Sequence, residues 1–147
     1  MMFPKDKPLR DRKWLDYVRE LRCLATGMIG HSEYETVDPA HLGTAGKSIK
    51  TGDDHVIPLI HHIHLACHAH GEASVLREYL PLAVLMDVVK ANHTQADPLT
   101  PQHLENRARY LRTNVTDKDF ISHLRVYAKQ EYEVWLSGSL PFVTNKL

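Results

Sequence analysis

Between residues 25 and 54 the chain drops the apolar spacing of three and four residues that marks both its flanks. In its place stands turn chemistry, TGMIGHSEYETVDPAHLGTAGKSIKTGDD from Thr26 to Asp54, which holds five of the seven glycines. A helix does not propagate through so many turn formers, so this stretch must fold as loop and short strand between helical segments. Two extended segments emerge, one within Tyr34 to Leu42 and one over His55-Val56-Ile57-Pro58-Leu59-Ile60. Pro58 lacks a backbone N–H for a ladder, which keeps the second strand short or at an edge. The expected fold class is α+β and mostly helical.

The flanks read as helices. Residues 11 to 24 set Trp14, Leu15, Val18, Leu21 and Cys23 on one face of an amphipathic helix. After Ile60 the helical period returns through HHIHLACHAH, with Ile63, Ala66 and Cys67 facing inward and Gly71 as the stop. Glu72 to Asn92 carries Pro81 before a nearly all-apolar run, which predicts a kinked or two-part buried helix. Thr100-Pro101 opens a further helix, and Thr116-Asp117-Lys118-Asp119 opens another that carries Phe120, Leu124, Ala128 and Trp135. There is no internal repeat or long linker, and 147 residues suffice for one domain with its own core.

Composition narrows the function classes. Eighteen Lys and Arg balance eighteen Asp and Glu, so the whole chain does not advertise the strong positive charge of many nucleic-acid binders. Two cysteines, Cys23 and Cys67, make no disulfide framework and read as core residues. The N-terminus lacks the apolar stretch of a secretory signal, and the longest apolar run, LPLAVLM, is far below the roughly 20 residues that span a bilayer. A cytoplasmic protein without a membrane segment is expected. The anomaly is histidine: six of eleven fall between residues 55 and 70, where uniform scatter would place about one. On a helix, His64 and His68 stand four residues apart and project from one face, a spacing that can share a cation. The bland alternative is a helix decorated with neutral histidines.

Taken in order, Asp38-Pro-Ala-His41-Leu, the loop Gly43-Thr-Ala-Gly46-Lys47, Asp54-His-Val-Ile-Pro58-Leu59 and His64-x-x-x-His68 resemble the motif of the HNH, or His-Me finger, endonucleases, especially the small phage and prophage-type proteins. The resemblance covers about residues 20–72 and leaves about 73–147 as a helical extension. It implies a ββα-metal core preceded by an N-terminal helix. It also implies His41 as general base, a divalent metal ion (Mg, Mn, Ni or Zn) on His64 and His68, and Asp54 at the Asn position of the motif, bracing the loop and His41. Hydrolysis of a DNA phosphodiester needs a proton acceptor for water and positive charge at the phosphate, which these residue types supply.

The sequence also departs from that pattern. Ala40 stands where many relatives carry a ligand, so Asp38 is the candidate third ligand, although three residues before His41 it belongs on the opposite face of a regular strand unless Pro39 breaks it. Thr26, Ile60 and Ile63 occupy positions of the zinc knuckle found in many relatives, so no structural zinc is expected. Lys47 and Lys50, with the basic N-terminal flank, are the candidate DNA-backbone contacts; Arg107, Arg109 and Arg112 form a weaker patch. The C-terminal helices offer a surface for a homodimer. Two other readings stand beside the nuclease: a non-catalytic metal- or nucleic-acid-binding protein on the same scaffold, and a helical interaction protein with incidental histidines.

Overall fold

The computed structural model describes residues 7–31, 33–43 and 51–143. Lys47 and Lys50 lie outside the described residues. The first helix, α1 (Arg12–Val18), starts where the Asp11 carboxylate accepts from the Trp14 N–H at 3.2 Å. It ends at Val18, short of the expected Leu24, because the chain has better partners elsewhere. The Cys23 N–H turns onto the Met28 carbonyl and the Leu24 N–H onto the Pro58 carbonyl, at 2.8 and 2.9 Å. Cys23 nevertheless remains in the core, as does Trp14, fully buried at 0% exposure.

Two strands, β1 (Val37–His41) and β2 (Val56–Ile60), pair antiparallel with Pro39 opposite Pro58. Flanking bonds from the His61 N–H to the Thr36 carbonyl and from the Leu42 N–H to the His55 carbonyl set the alternation. Pro39 and Pro58 therefore occupy a pair whose backbone groups point away from the partner strand, so the ladder loses nothing at either proline. The outward carbonyl of Pro58 receives Leu24. All five β2 residues are buried, which is what a continuous apolar run between packed layers predicts. A short 3₁₀ turn, Asp53–His55, leads into β2.

Helix α2 (His61–His70) follows β2 without a residue between. Ile60 gives its first turn no side-chain cap; instead the Glu35 carboxylate, distant in sequence, accepts the His62 N–H at 2.9 Å. Only Ile63 and Cys67 of this helix are buried, and Gly71 ends it with a φ of 96°. The expected two-part helix is α3 (Glu72–Tyr79) and α4 (Leu82–Asn92). Leu80 between them is extended, as the residue before a proline prefers. Thr100 and Thr116 cap α5 (Pro101–Thr113) and α6 (Asp117–Leu136), accepting from the His103 and Asp119 N–H groups. The architecture is mostly helical, with one two-stranded antiparallel sheet among the described residues.

Helix α4 packs against both α5 and α6. Two arginines close the corner between α3 and α5. Arg77 donates to the Arg112 and Val115 carbonyls at 2.9 and 2.6 Å and lies over the Phe120 ring. Arg112 donates back to the Arg77 and Leu80 carbonyls. Arg112 thus serves as a cap for the end of α3, not as part of a basic surface patch, and Arg109 lies 3.6 Å from Glu105. No described helix is long and apolar enough to cross a membrane.

The N-terminal helix meets the C-terminal one through aromatic rings: Trp14 stands 5.1 Å from Trp135 and 5.4 Å from Tyr132, centroid to centroid. The Tyr132 hydroxyl donates to the Asp11 carboxylate at 2.7 Å. Among the described residues, the buried Trp14 indole N–H has no hydrogen-bond partner. Trp14→Ala should therefore cost about 3–5 kcal/mol in urea unfolding, and Trp14→Phe should cost less because it removes the unpaired N–H while keeping a ring.

Candidate functional site

Two side-chain groups lie at the junction of β1, β2 and α2. The first centres on His41, the last residue of β1. Its Nε2 lies 2.9 Å from Oδ1 of Asp53, and the Asp53 carboxylate is almost fully buried. Asp53 also accepts from the Asp11 N–H at 2.8 Å and from Arg10 at 3.3 Å. Burial alone would raise its pKa, but the bonds from His41 and Asp11 and the Arg10 charge outweigh this and hold it below its ordinary value. An ionised Asp53 can only accept, so it selects the His41 tautomer protonated on Nε2 and leaves Nδ1 with a lone pair.

The residue bracing His41 is thus Asp53 and not the expected Asp54. The Asp54 carboxylate lies 3.1 Å from Nδ1 of His55, without the alignment of a hydrogen bond, and folds back over Gly52, where a Cβ would approach it to 2.5 Å. Burial, partly offset by Asp54, holds the His55 pKa below its ordinary value, so this ring is neutral near pH 7. In sequence the two adjacent aspartates are indistinguishable; the 3₁₀ turn points the first inward and the second back.

The second group is centred on Asp38. Its Oδ2 lies 2.7 Å from Nδ1 of His61 and 2.9 Å from Nδ1 of His64, while Oδ1 accepts from the Thr36 hydroxyl at 2.8 Å. Burial would raise the Asp38 pKa; the bonds from His61, His64 and Thr36 overcome it and lower it. Pro39 stays in register, so Asp38 and His41 leave β1 on opposite faces, as regular alternation requires. Asp38, His61 and His64 have ligand atoms within 4.8 Å of one another and make a group able to hold a metal ion. His61, three residues before His64, was not among the expected ligands.

His64 offers a second nitrogen. With Nδ1 donating to Asp38, its Nε2 carries a lone pair and lies 3.2 Å from Nε2 of His68. Two imidazole nitrogens at about 2.0–2.1 Å from one tetrahedral ion are about 3.4 Å apart, so this pair fits a metal edge with little movement. Asp38 stands behind His64 and fixes the orientation of its ring through Nδ1.

The two groups meet at a cavity of about 30 Å³ lined by His41, His64, Cys67, His68 and Glu72. Burial and nearby Glu72 push the Cys67 thiol up to about 11, so it is a neutral packing group at pH 7. Glu72 accepts the Gly43 N–H at 2.9 Å, and burial raises its pKa even though that bond and the Arg125 and His64 charges oppose the shift. His55, His62 and His70 do not line this cavity; His62 instead pairs with Glu35 at 2.6 Å.

Comparison of the chain with protein-family models, with curated proteins and with solved structures finds no match.

Asp53 gives a direct thermodynamic test. Its folded pKa lies below the unfolded value, so the carboxylate contributes stability above the unfolded pKa and loses it as pH falls through the folded one. Asp53→Asn should flatten the acid limb of stability against pH below about pH 4, measured by urea unfolding. Asp53→Ala should cost about 2–3 kcal/mol at pH 7 because the Asp11 N–H and His41 lose their acceptor.

Proposed function

We propose that this chain is a metal-dependent endonuclease of the HNH, or His-Me finger, kind, which hydrolyses DNA phosphodiester bonds with a ββα-metal core formed by β1, β2 and α2. The observation that carries the reading is the shared cavity: a histidine braced by a buried carboxylate and a pair of histidines with metal-edge spacing line the same small space.

His41 is the general base. Asp53 holds the proton on Nε2 and leaves Nδ1 to accept a proton from the attacking water. As the proton arrives, the imidazole becomes cationic and the Asp53 carboxylate stabilises it across 2.9 Å. His64 and His68 would hold a divalent ion, and Asp38 fixes the His64 ring from behind. When bound, that ion supplies positive charge to the phosphate oxygens and to the leaving oxygen. The family pattern implies 5′-phosphate and 3′-hydroxyl products.

One observation favours the second reading, a metal- or nucleic-acid-binding protein on this scaffold without catalysis. Ala40, buried and without a donor atom, stands where many relatives have a ligand, which leaves two imidazoles as the metal's side-chain ligands at the cavity.

Plasmid nicking with Mg²⁺, Mn²⁺, Ni²⁺ or Zn²⁺ separates the two. The wild-type protein should nick, and His41→Ala should lose about 10²- to 10⁴-fold in rate, or about 3–5 kcal/mol in barrier, with metal binding retained. His68→Ala should lose bound metal by calorimetry while His61→Ala keeps it; the reverse result would place the ion on the Asp38, His61 and His64 triad instead. Metal binding without nicking would support the scaffold reading.

A further inference from the structure

Beside the small cavity lies a groove of about 490 Å³ whose walls include Gly43, Glu72, Ala73, Lys118, Ile121 and Arg125. Glu72 lines both spaces, and Gly43 is two residues beyond His41. We infer that this groove receives the sugar-phosphate backbone of the DNA strand next to the bond being cut, with Arg125 and Lys118 contacting phosphate and Ile121 and Ala73 facing the sugars. The inference rests on the endonuclease reading above and adds α3 and α6, outside the motif, to the substrate site.

Arg125 is held in place for such a role. Its Nη1 donates to the Leu42 carbonyl at 2.8 Å, which uses one of five guanidinium donors and fixes the side chain before substrate arrives. Gly43 leaves it room: the backbone there has a φ of 81°, and a Cβ would come within 2.7 Å of Nη1. Lys118 is exposed in the first turn of α6.

Two acids also line the groove, and each has a hydrogen-bond donor of its own. Asp117 is engaged by Arg77 at 3.1 Å. The Glu72 carboxylate accepts the Gly43 N–H at 2.9 Å. The apolar floor suits deoxyribose, whereas a free phosphate would have no use for it.

The test is fluorescence anisotropy of a labelled DNA duplex, with Mg²⁺, in a His41→Ala background that slows turnover. Adding Lys118→Glu should weaken binding about tenfold and reduce the slope of log affinity against log salt by about 0.9 for one lost phosphate contact. Arg125→Gln should do the same; a urea midpoint checks that losing the bond to Leu42 has not unfolded it. Arg109→Glu, an equal charge reversal outside the groove, should leave the slope unchanged. Unchanged affinity and slope for Lys118→Glu would overturn the inference, as would an equal loss with Arg109→Glu or no duplex binding in the parent protein. Wild-type nicking, measured in parallel, separates the two levels. Nicking with groove-independent binding sinks the groove alone, and groove-dependent binding without nicking sinks the endonuclease reading alone.

Discussion

The buried Asp53 carboxylate is the point on which the site depends. It accepts from Asp11, Arg10 and His41, and Asp11 in turn caps α1 and receives the Tyr132 hydroxyl from α6. A carboxylate taken out of water is tolerated only when donors replace the lost hydration. The N-terminal segment supplies two of these donors. The orientation of His41 is thereby tied to the docking of α1 and, through Tyr132 and the aromatic rings around Trp14, to the last helix. Segments far apart in the chain are part of what holds His41 in place.

The helices were legible wherever local chemistry decides them. Threonine caps at positions 100 and 116, Pro81 as a break and Gly71 as a stop all act on their neighbours, and their signals survive in the sequence. The end of α1 was not legible, because Leu24 leaves the helix to bond with Pro58, a residue 34 positions away. Similar limits hold at the site. His41, His64 and His68 stand out by type and spacing, and all three line one cavity. The choice between Asp53 and Asp54 depends on a turn of three residues that no periodicity reports. Glu72 and Arg125 come from helices with no motif, and only folding brings them to the backbone at 42 and 43.

His64 has a divided task. Its Nδ1 faces Asp38, which also receives His61, and its Nε2 faces His68. The carboxylate therefore sets the tautomer that exposes a lone pair toward the cavity. The same Asp38 that regular alternation sends away from His41 is on the side where it reaches Nδ1 of His64.

The facing prolines of the small sheet have a further consequence, for solubility. A two-stranded sheet has two free edges, and exposed strand edges invite pairing with another chain. At the centre of this sheet, Pro39 has no N–H to offer an incoming strand, and the outward carbonyl of Pro58 is already occupied by Leu24. Both margins are blunted at the same register position, so the strand that carries His41 is a poor template for edge-to-edge association.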